Sequence, residues 1–163
     1  MTQAQLLAQT LQKVRDLTMW YIGMLKLSDP YKEFEVNGIK LNSVYWLTAH
    51  LAWAENMLIL EMCGDDSVKA DWLNHYALGS DGTLHTEKPD MKETIHLLKE
   101  IHAKSMELLN NLPDEKLEEI NKREFGFGGD KTVRMMIQHC IRHEAMHTGH
   151  LSWLCKINGV KAI

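Results

Sequence analysis

Residues 137–151 read Ile137-Gln138-His139-Cys140-Ile141-Arg142-His143-Glu144-Ala145-Met146-His147-Thr148-Gly149-His150-Leu151, and the way this stretch winds decides the fold. At about 100° per residue, with His143 as zero, His147 falls near +40°, His139 near −40° and His150 near −20°. Met136 and Leu154 fall near +20° on the same scale. Four of the nine histidines therefore run through the apolar stripe of one helix instead of its solvent side. His143 and His147, one turn apart, point the same way and can share a metal ion.

The spelling His143-Glu144-Ala145-Met146-His147 is that of a zinc protease, but the partners of that motif are missing. Residues 145–163 contain neither Asp nor Glu, so there is no acidic ligand downstream. The longer H-E-x-x-H-x-x-G-x-x-H pattern fails as well: the glycine comes one place early, as Gly149, and Trp153 stands at the last ligand position. Three ligands from one continuous helix rarely surround an ion, so a third ligand has to come from earlier in the chain.

The chain has 163 residues, enough for one domain over 1–163 that buries a core without help from a metal or disulfide. At 45% hydrophobic and 25% charged it reads as a soluble globular chain. No signal-peptide pattern or long uncharged apolar run occurs, so the expectation is a cytoplasmic protein without a membrane partner. Cys63, Cys140 and Cys155 are odd in number and lack CxxC spacing, which fits reduced thiols. A formal charge of −4 with no basic run argues against nucleic acid as a partner. Most of the five tryptophans and ten methionines are expected to fill the core.

Sparse proline and glycine leave four long helical patterns between them. The first spans about Thr2 to Leu27, with Leu7, Leu11, Val14, Thr18, Tyr21 and Leu25 inward, and stops at Ser28-Asp29-Pro30. The second spans about Leu41 to Cys63, led by Asn37-Gly38 and ended by Gly64-Asp65-Asp66, with Leu47, His50, Ala54, Met57 and Glu61 inward. The third opens after Pro89-Asp90, a suitable helix start, and carries Met91, Ile95, Leu98, His102 and Leu109 to Pro113. The fourth runs from about Asp130, as N-cap, to Asn158. No alternating run long enough for a sheet is present. The expected fold is all-α, a four-helix bundle. Residues 64–89 are long for a joint between helices; within them Trp72, Leu73 and Tyr76 suggest a short packed turn and Gly79-Ser80-Asp81-Gly82 a loop. Between the third and fourth helices, Phe125 and Phe127 stand among glycines and are expected to lie over one end of the bundle.

Two upstream histidines compete as third ligand. His50 lies on the second helix among Ser43, Leu47, Ala54 and Met57, small and apolar neighbours that leave room; His102 sits at the centre of the third helix's inward face. In an up-down bundle the second and fourth helices would run parallel with His50 and His143 at compatible depths, which favours His50 without deciding the matter.

The segments Trp46-Leu47-Thr48-Ala49-His50-Leu51-Ala52-Trp53-Ala54-Glu55 and 137–151 together resemble the DinB-like family of small four-helix metalloproteins, over nearly the whole chain. That family carries one histidine on helix two and an H-x-x-x-H pair on helix four, followed by x-G-Q-L. The resemblance implies His50, His143 and His147 as the metal ligands, a long crossover between helices two and three, and an up-up-down-down sense. It also implies His139 as a residue beside the ligands. His150 departs from the pattern, standing where the family usually has glutamine, with an imidazole able to donate to a bound water or act as a fourth ligand.

Three neutral imidazoles around a divalent ion leave positions for water or substrate, as at a catalytic site. Zinc is the first choice by availability; nickel, iron and manganese suit the same donors. The family is similar to thiol-dependent enzymes such as mycothiol-dependent maleylpyruvate isomerase and bacillithiol transferases. The resemblance thus implies a small-molecule substrate, activation of a low-molecular-weight thiol for transfer or isomerisation, and homodimer formation. The alternatives are a metal-dependent hydrolase, with Glu144 or His150 handling the proton, and a metal-binding stress protein without turnover.

Overall fold

Each of the four long helices begins at a side chain that accepts a hydrogen bond from a backbone amide three residues on, satisfying a donor the helix itself cannot pair. In the computed structural model, which describes residues 1–64, 66–80 and 83–161, Thr2 caps α1 (Gln3–Met24) and Asp90 caps α3 (Met91–Asn111). Both form reciprocal capping boxes, with Gln5 and Glu93 as the returning side chains. Ser43 caps α2 (Val44–Glu55) through the Trp46 amide, and Thr132 caps α4 (Val133–Ile157) through the Met135 amide. The start expected near Asp130 is therefore two residues later. Asp130 accepts from the Thr132 amide at 2.9 Å and its hydroxyl at 2.8 Å, holding the cap in place.

The helix directions follow from cross-helix contacts. At the start of α1, the Gln3 and Ala4 amides donate to the carboxylate of Asp114, just beyond the end of α3, at 3.0 and 2.9 Å; α1 and α3 are antiparallel. Arg134 donates to Gln3 at 3.0 Å, and Thr18 meets Thr148 at 2.7 Å further along, so α1 and α4 run parallel. Thr94 with Tyr45 at 3.2 Å and His102 with Glu55 at 2.9 Å make α2 and α3 parallel too. The sense is up-down-down-up, which corrects the up-up-down-down order implied by resemblance and the parallel pairing of helices two and four. Two consecutive parallel helices need a connection that travels the length of the bundle. The expected long crossover between helices two and three supplies it, with a 3₁₀ turn at Asp71–Tyr76 whose Leu73 and Tyr76 are buried. Asp65 of the expected helix stop, and Asp81 and Gly82 of the expected loop, lie outside the described residues.

Before α2 stands a feature the sequence pattern did not announce. β1 (Phe34–Val36) pairs antiparallel with β2 (Ile39–Leu41), Phe34 opposite Leu41. Asn37 and Gly38, both at positive φ (52° and 77°), form the two-residue turn between them. The pair Asn37-Gly38 thus closes a hairpin instead of leading a helix. At the other end of α2 the winding widens into a π-helical turn, Asn56–Glu61.

Along α1 the buried face is Ala4, Ala8, Leu11, Arg15, Thr18 and Ile22. The expected stripe shares Leu11, Thr18 and Leu25 with the core, but Leu7, Val14 and Tyr21 lie on its flank. Rotating the helix this way buries Arg15, whose guanidinium then has to find partners inside. Every residue of α2 is buried except Trp53, which is half-buried, so α2 forms the centre against which α3, α4 and the crossover pack. Cys63, Cys140 and Cys155 are free thiols. Among the described residues no helix is long and apolar enough to cross a membrane.

Candidate metal centre

His50 sits in the middle of α2, and its ring lies between two indoles of the same helix. Trp46 stacks on it at 4.7 Å between centroids and Trp53 at 5.7 Å, with planes within 19° and 22°. Residues four before and three after a helical position share its face, so the spacing W-x-x-x-H-x-x-W builds this sandwich directly. The Nδ1 of His50 lies 2.6 Å from the backbone carbonyl of Tyr76 in the crossover turn. A carbonyl only accepts, so Nδ1 carries the proton and the lone pair is left on Nε2.

That Nε2 faces α4. It is 3.0 Å from Nε2 of His143, which in turn is 3.2 Å from Nε2 of His147. One ligand atom from each of the three histidines lies within 4.8 Å of the others. Three neutral imidazoles in this arrangement cannot all be satisfied by one another. If the His143 nitrogen offers its lone pair it faces the lone pair of His50, and if it offers its one proton that proton cannot be directed at both neighbours. A shared cation removes that conflict. Zinc–nitrogen bonds of about 2.0–2.1 Å would place ligand nitrogens roughly 2.9 Å apart at right angles and 3.3 Å apart at tetrahedral angles; the two spacings from His143 fall between these. The three histidines are positioned to hold a metal ion.

Electrostatics agrees with this geometry. Burial, reinforced by His50 and His139, pushes His143 down to about 4. Burial, with His143, His50 and His150 adding to it, pushes His147 down to about 3. Burial also lowers His50, opposed by its bond to Tyr76. The rings are thus neutral at neutral pH, and a neutral imidazole has one lone pair to offer a cation. His50 and His147 are buried and His143 is half-buried, so the cluster opens on the His143 side. There His139 stacks against Phe127 with centroids 3.4 Å apart, and its ring lies 5.9 Å from that of His143. Phe127 therefore lies beside the cluster. On the opposite side, Nδ1 of His147 meets Nδ1 of exposed His150 at 3.1 Å.

Residues 2–151 match the sequence profile of the DinB superfamily. The chain belongs to the DinB superfamily. A crystal structure of a conserved protein from Enterococcus faecalis has the same fold, with a TM-score of 0.62 and 18% identity over 94% of this chain and 95% of that one. No curated protein matches this chain.

Within this DinB-superfamily protein the two upstream histidines are parted by position. His50 stands with His143 and His147, whereas His102 belongs to a separate polar cluster in the core. Its Nδ1 faces Glu55 at 2.9 Å and its Nε2 faces Gln12 at 3.1 Å. Glu144, expected at an activated water, is placed in the same cluster with its carboxylate turned to Arg15. Both of its carboxylate oxygens accept from Arg15, at 2.6 and 2.8 Å, and it is 1% exposed. Arg15 also donates to Glu55 at 2.8 Å. Burial alone would lower the Arg15 guanidinium, but the two carboxylates reverse this and raise it. Glu55, which burial would raise, is held below its ordinary value by Arg15 and His102.

Arg15, Glu55 and the Trp46–Trp53 sandwich were not singled out from the sequence. For Arg15 a signal existed: Ala4, Ala8, Leu11, Thr18 and Ile22 recur every three or four residues, and Arg15 falls in that series. Tyr76 could not be found this way, because it contributes a backbone oxygen.

Proposed function

We propose that this protein is a divalent-metal-dependent enzyme that activates a low-molecular-weight thiol for transfer or isomerisation at His50, His143 and His147. The observation that carries the reading is the clustering of three imidazole ligand atoms within 4.8 Å of one another, with His50 and His147 buried and His143 half-buried. An ion held by three imidazoles, zinc being the first candidate, supplies Lewis acidity toward a thiol or water at its remaining positions.

The chain's own residues do the rest. The Tyr76 carbonyl fixes the tautomer and direction of His50, and with the ion on Nε2 of His147 its Nδ1 would donate to Nδ1 of His150, 3.1 Å away, and fix that ring. Trp46 and Trp53 cover both faces of His50 and keep water from that side. Thiol chemistry is favoured over hydrolysis because Glu144, the acid that would serve a hydrolase as base, spends both oxygens on Arg15.

The test has two stages. Protein purified without a metal-affinity tag is analysed for metal, then incubated with glutathione, bacillithiol or mycothiol and a panel of electrophiles. Metal-dependent turnover that disappears in His143→Ala is expected. A chain that takes up no zinc, nickel, manganese or iron, or a metal-loaded chain inert with every pair, overturns the proposal.

A further inference from the structure

A cavity of about 330 Å³ adjoins the open side of the histidine cluster, and His143 forms part of its wall. Its other walls come from the end of α2 and the turn that continues it, from Leu78 in the crossover, and from the loop before α4. Trp53 lies on α2, Met57 and Leu58 on the π-helical turn that follows, and Phe125 and Phe127 on the loop before α4. π-Helical turns inside helices recur at functional sites because the extra residue per turn displaces side chains from the regular register; here the widened turn supplies one side of the cavity. Phe125 and Phe127 meet edge to face at 5.1 Å, and the loop that carries them is tied down by Asn121, whose amide donates to the carbonyls of Phe125 and Lys131 at 2.6 Å each.

The chemistry of the lining is specific. Arg123, the charged side chain of the wall, is paired with Glu61. Among the described lining residues no charge is left unpaired for the carboxylates and ammonium of a low-molecular-weight thiol, while three aromatic rings and the flexible thioethers of Met57 and Met62 suit a flat apolar group. We infer that this cavity binds an uncharged aryl or aryl-alkyl group, the apolar half of the electrophilic substrate, and presents its reactive end at His143. The inference rests on the proposed metal site for its chemistry but not for its binding. The size fits a single ring with a short chain, within the usual range for small-molecule sites.

Two arms separate the cavity from the metal. In the first, benzyl alcohol is titrated into metal-free protein by ligand-observed NMR. Saturable binding is expected, weakened at least about tenfold in Met57→Trp, which fills the cavity, and in Phe125→Ala, which removes one wall from an exposed loop. In the second, zinc-loaded protein is titrated calorimetrically with benzyl mercaptan and with 2-mercaptoethanol. The aryl thiol should bind at least about tenfold tighter to the wild type, and the two thiols should bind alike in the variants, with zinc affinity unchanged. Absence of benzyl alcohol binding, or binding that neither variant weakens, overturns the inference. A chain that binds benzyl alcohol as expected but takes up no zinc overturns the metal reading and leaves the aryl site standing.

Discussion

Arg15 on α1 grips both carboxylate oxygens of Glu144 on α4, at 2.6 and 2.8 Å, in the middle of the bundle. A two-pronged guanidinium–carboxylate contact fixes the relative rotation of two parallel helices, and one residue along α4 from Glu144 is His143. Replacing Arg15 with Met leaves Glu55 and Glu144 buried without their cation, which is expected to cost about 3–5 kcal/mol. Glu144→Gln keeps the shape and loses the charge, so its cost should be smaller, about 1–3 kcal/mol. Urea unfolding measures both. Zinc affinity of folded Glu144→Gln should equal that of the wild type; a large loss of affinity would put Glu144 back at the metal.

A second prediction uses the indoles around His50. A paramagnetic ion bound at Nε2 sits within reach of Trp46 and Trp53, which stack on that ring at 4.7 and 5.7 Å. Nickel titration should quench part of the tryptophan emission and reach its end point at one ion per chain. His50→Ala should abolish the quenching, and folded His102→Gln should retain it, because His102 faces Glu55 and Gln12.

The sign of the pH dependence of metal-free protein follows from the depressed histidines. His143 is pushed down to about 4 and His147 to about 3, in each case by burial first and by neighbouring imidazoles next. In the unfolded chain these groups take up protons near 6.5. Between that value and the folded values the unfolded state binds more protons, so stability is highest above about pH 6.5 and falls as pH drops toward 4. Each such histidine steepens the slope by at most about 1.4 kcal/mol per pH unit. His147→Gln should flatten the profile in that window when midpoints of urea unfolding are compared from pH 7 to 4.5. An unchanged slope in the variant would refute the assignment.

The helices and the histidine cluster were legible in the sequence because both are periodic. Asp90 after Pro89 marks a helix start that the structure keeps to the residue, and the spacing of His143 and His147 places them on one face whatever surrounds them. The misreadings share a cause: an apolar stripe counts only apolar residues. Arg15, Glu55, His102 and Glu144 satisfy one another inside the bundle, so the buried face of α1 turns toward Arg15 and away from Leu7, Val14 and Tyr21. The hairpin was missed because its three-residue strands are mostly exposed and alternate too briefly to register. The helix directions depend on the path of the crossover, which no local pattern encodes.

Asn56 opens the π-helical turn and ties it to the crossover. Its side chain donates to the Val68 carbonyl and accepts from the Val68 amide, both at 2.9 Å. Removing both bonds in Asn56→Ala should cost about 1–3 kcal/mol. Hydrogen exchange at the Val68 amide should accelerate well beyond that of the α4 core; equal protection in variant and wild type would show that the crossover is held elsewhere.

His150 distinguishes an orienting role from a ligand role. With Nε2 of His147 on a cation, its Nδ1 would carry the proton and donate to Nδ1 of His150, 3.1 Å away. The oxygen of a glutamine amide accepts the same bond, so His150→Gln should leave zinc affinity within about threefold of the wild type, whereas His150→Ala, which removes the acceptor, should weaken it about tenfold or more. A fourth ligand would behave differently, since a glutamine amide is a poor substitute for imidazole on zinc and both variants would lose affinity together. Competition with a chromogenic chelator at fixed pH separates the two patterns: recovery in the glutamine variant alone assigns His150 to orienting His147, and parallel loss assigns it to the metal.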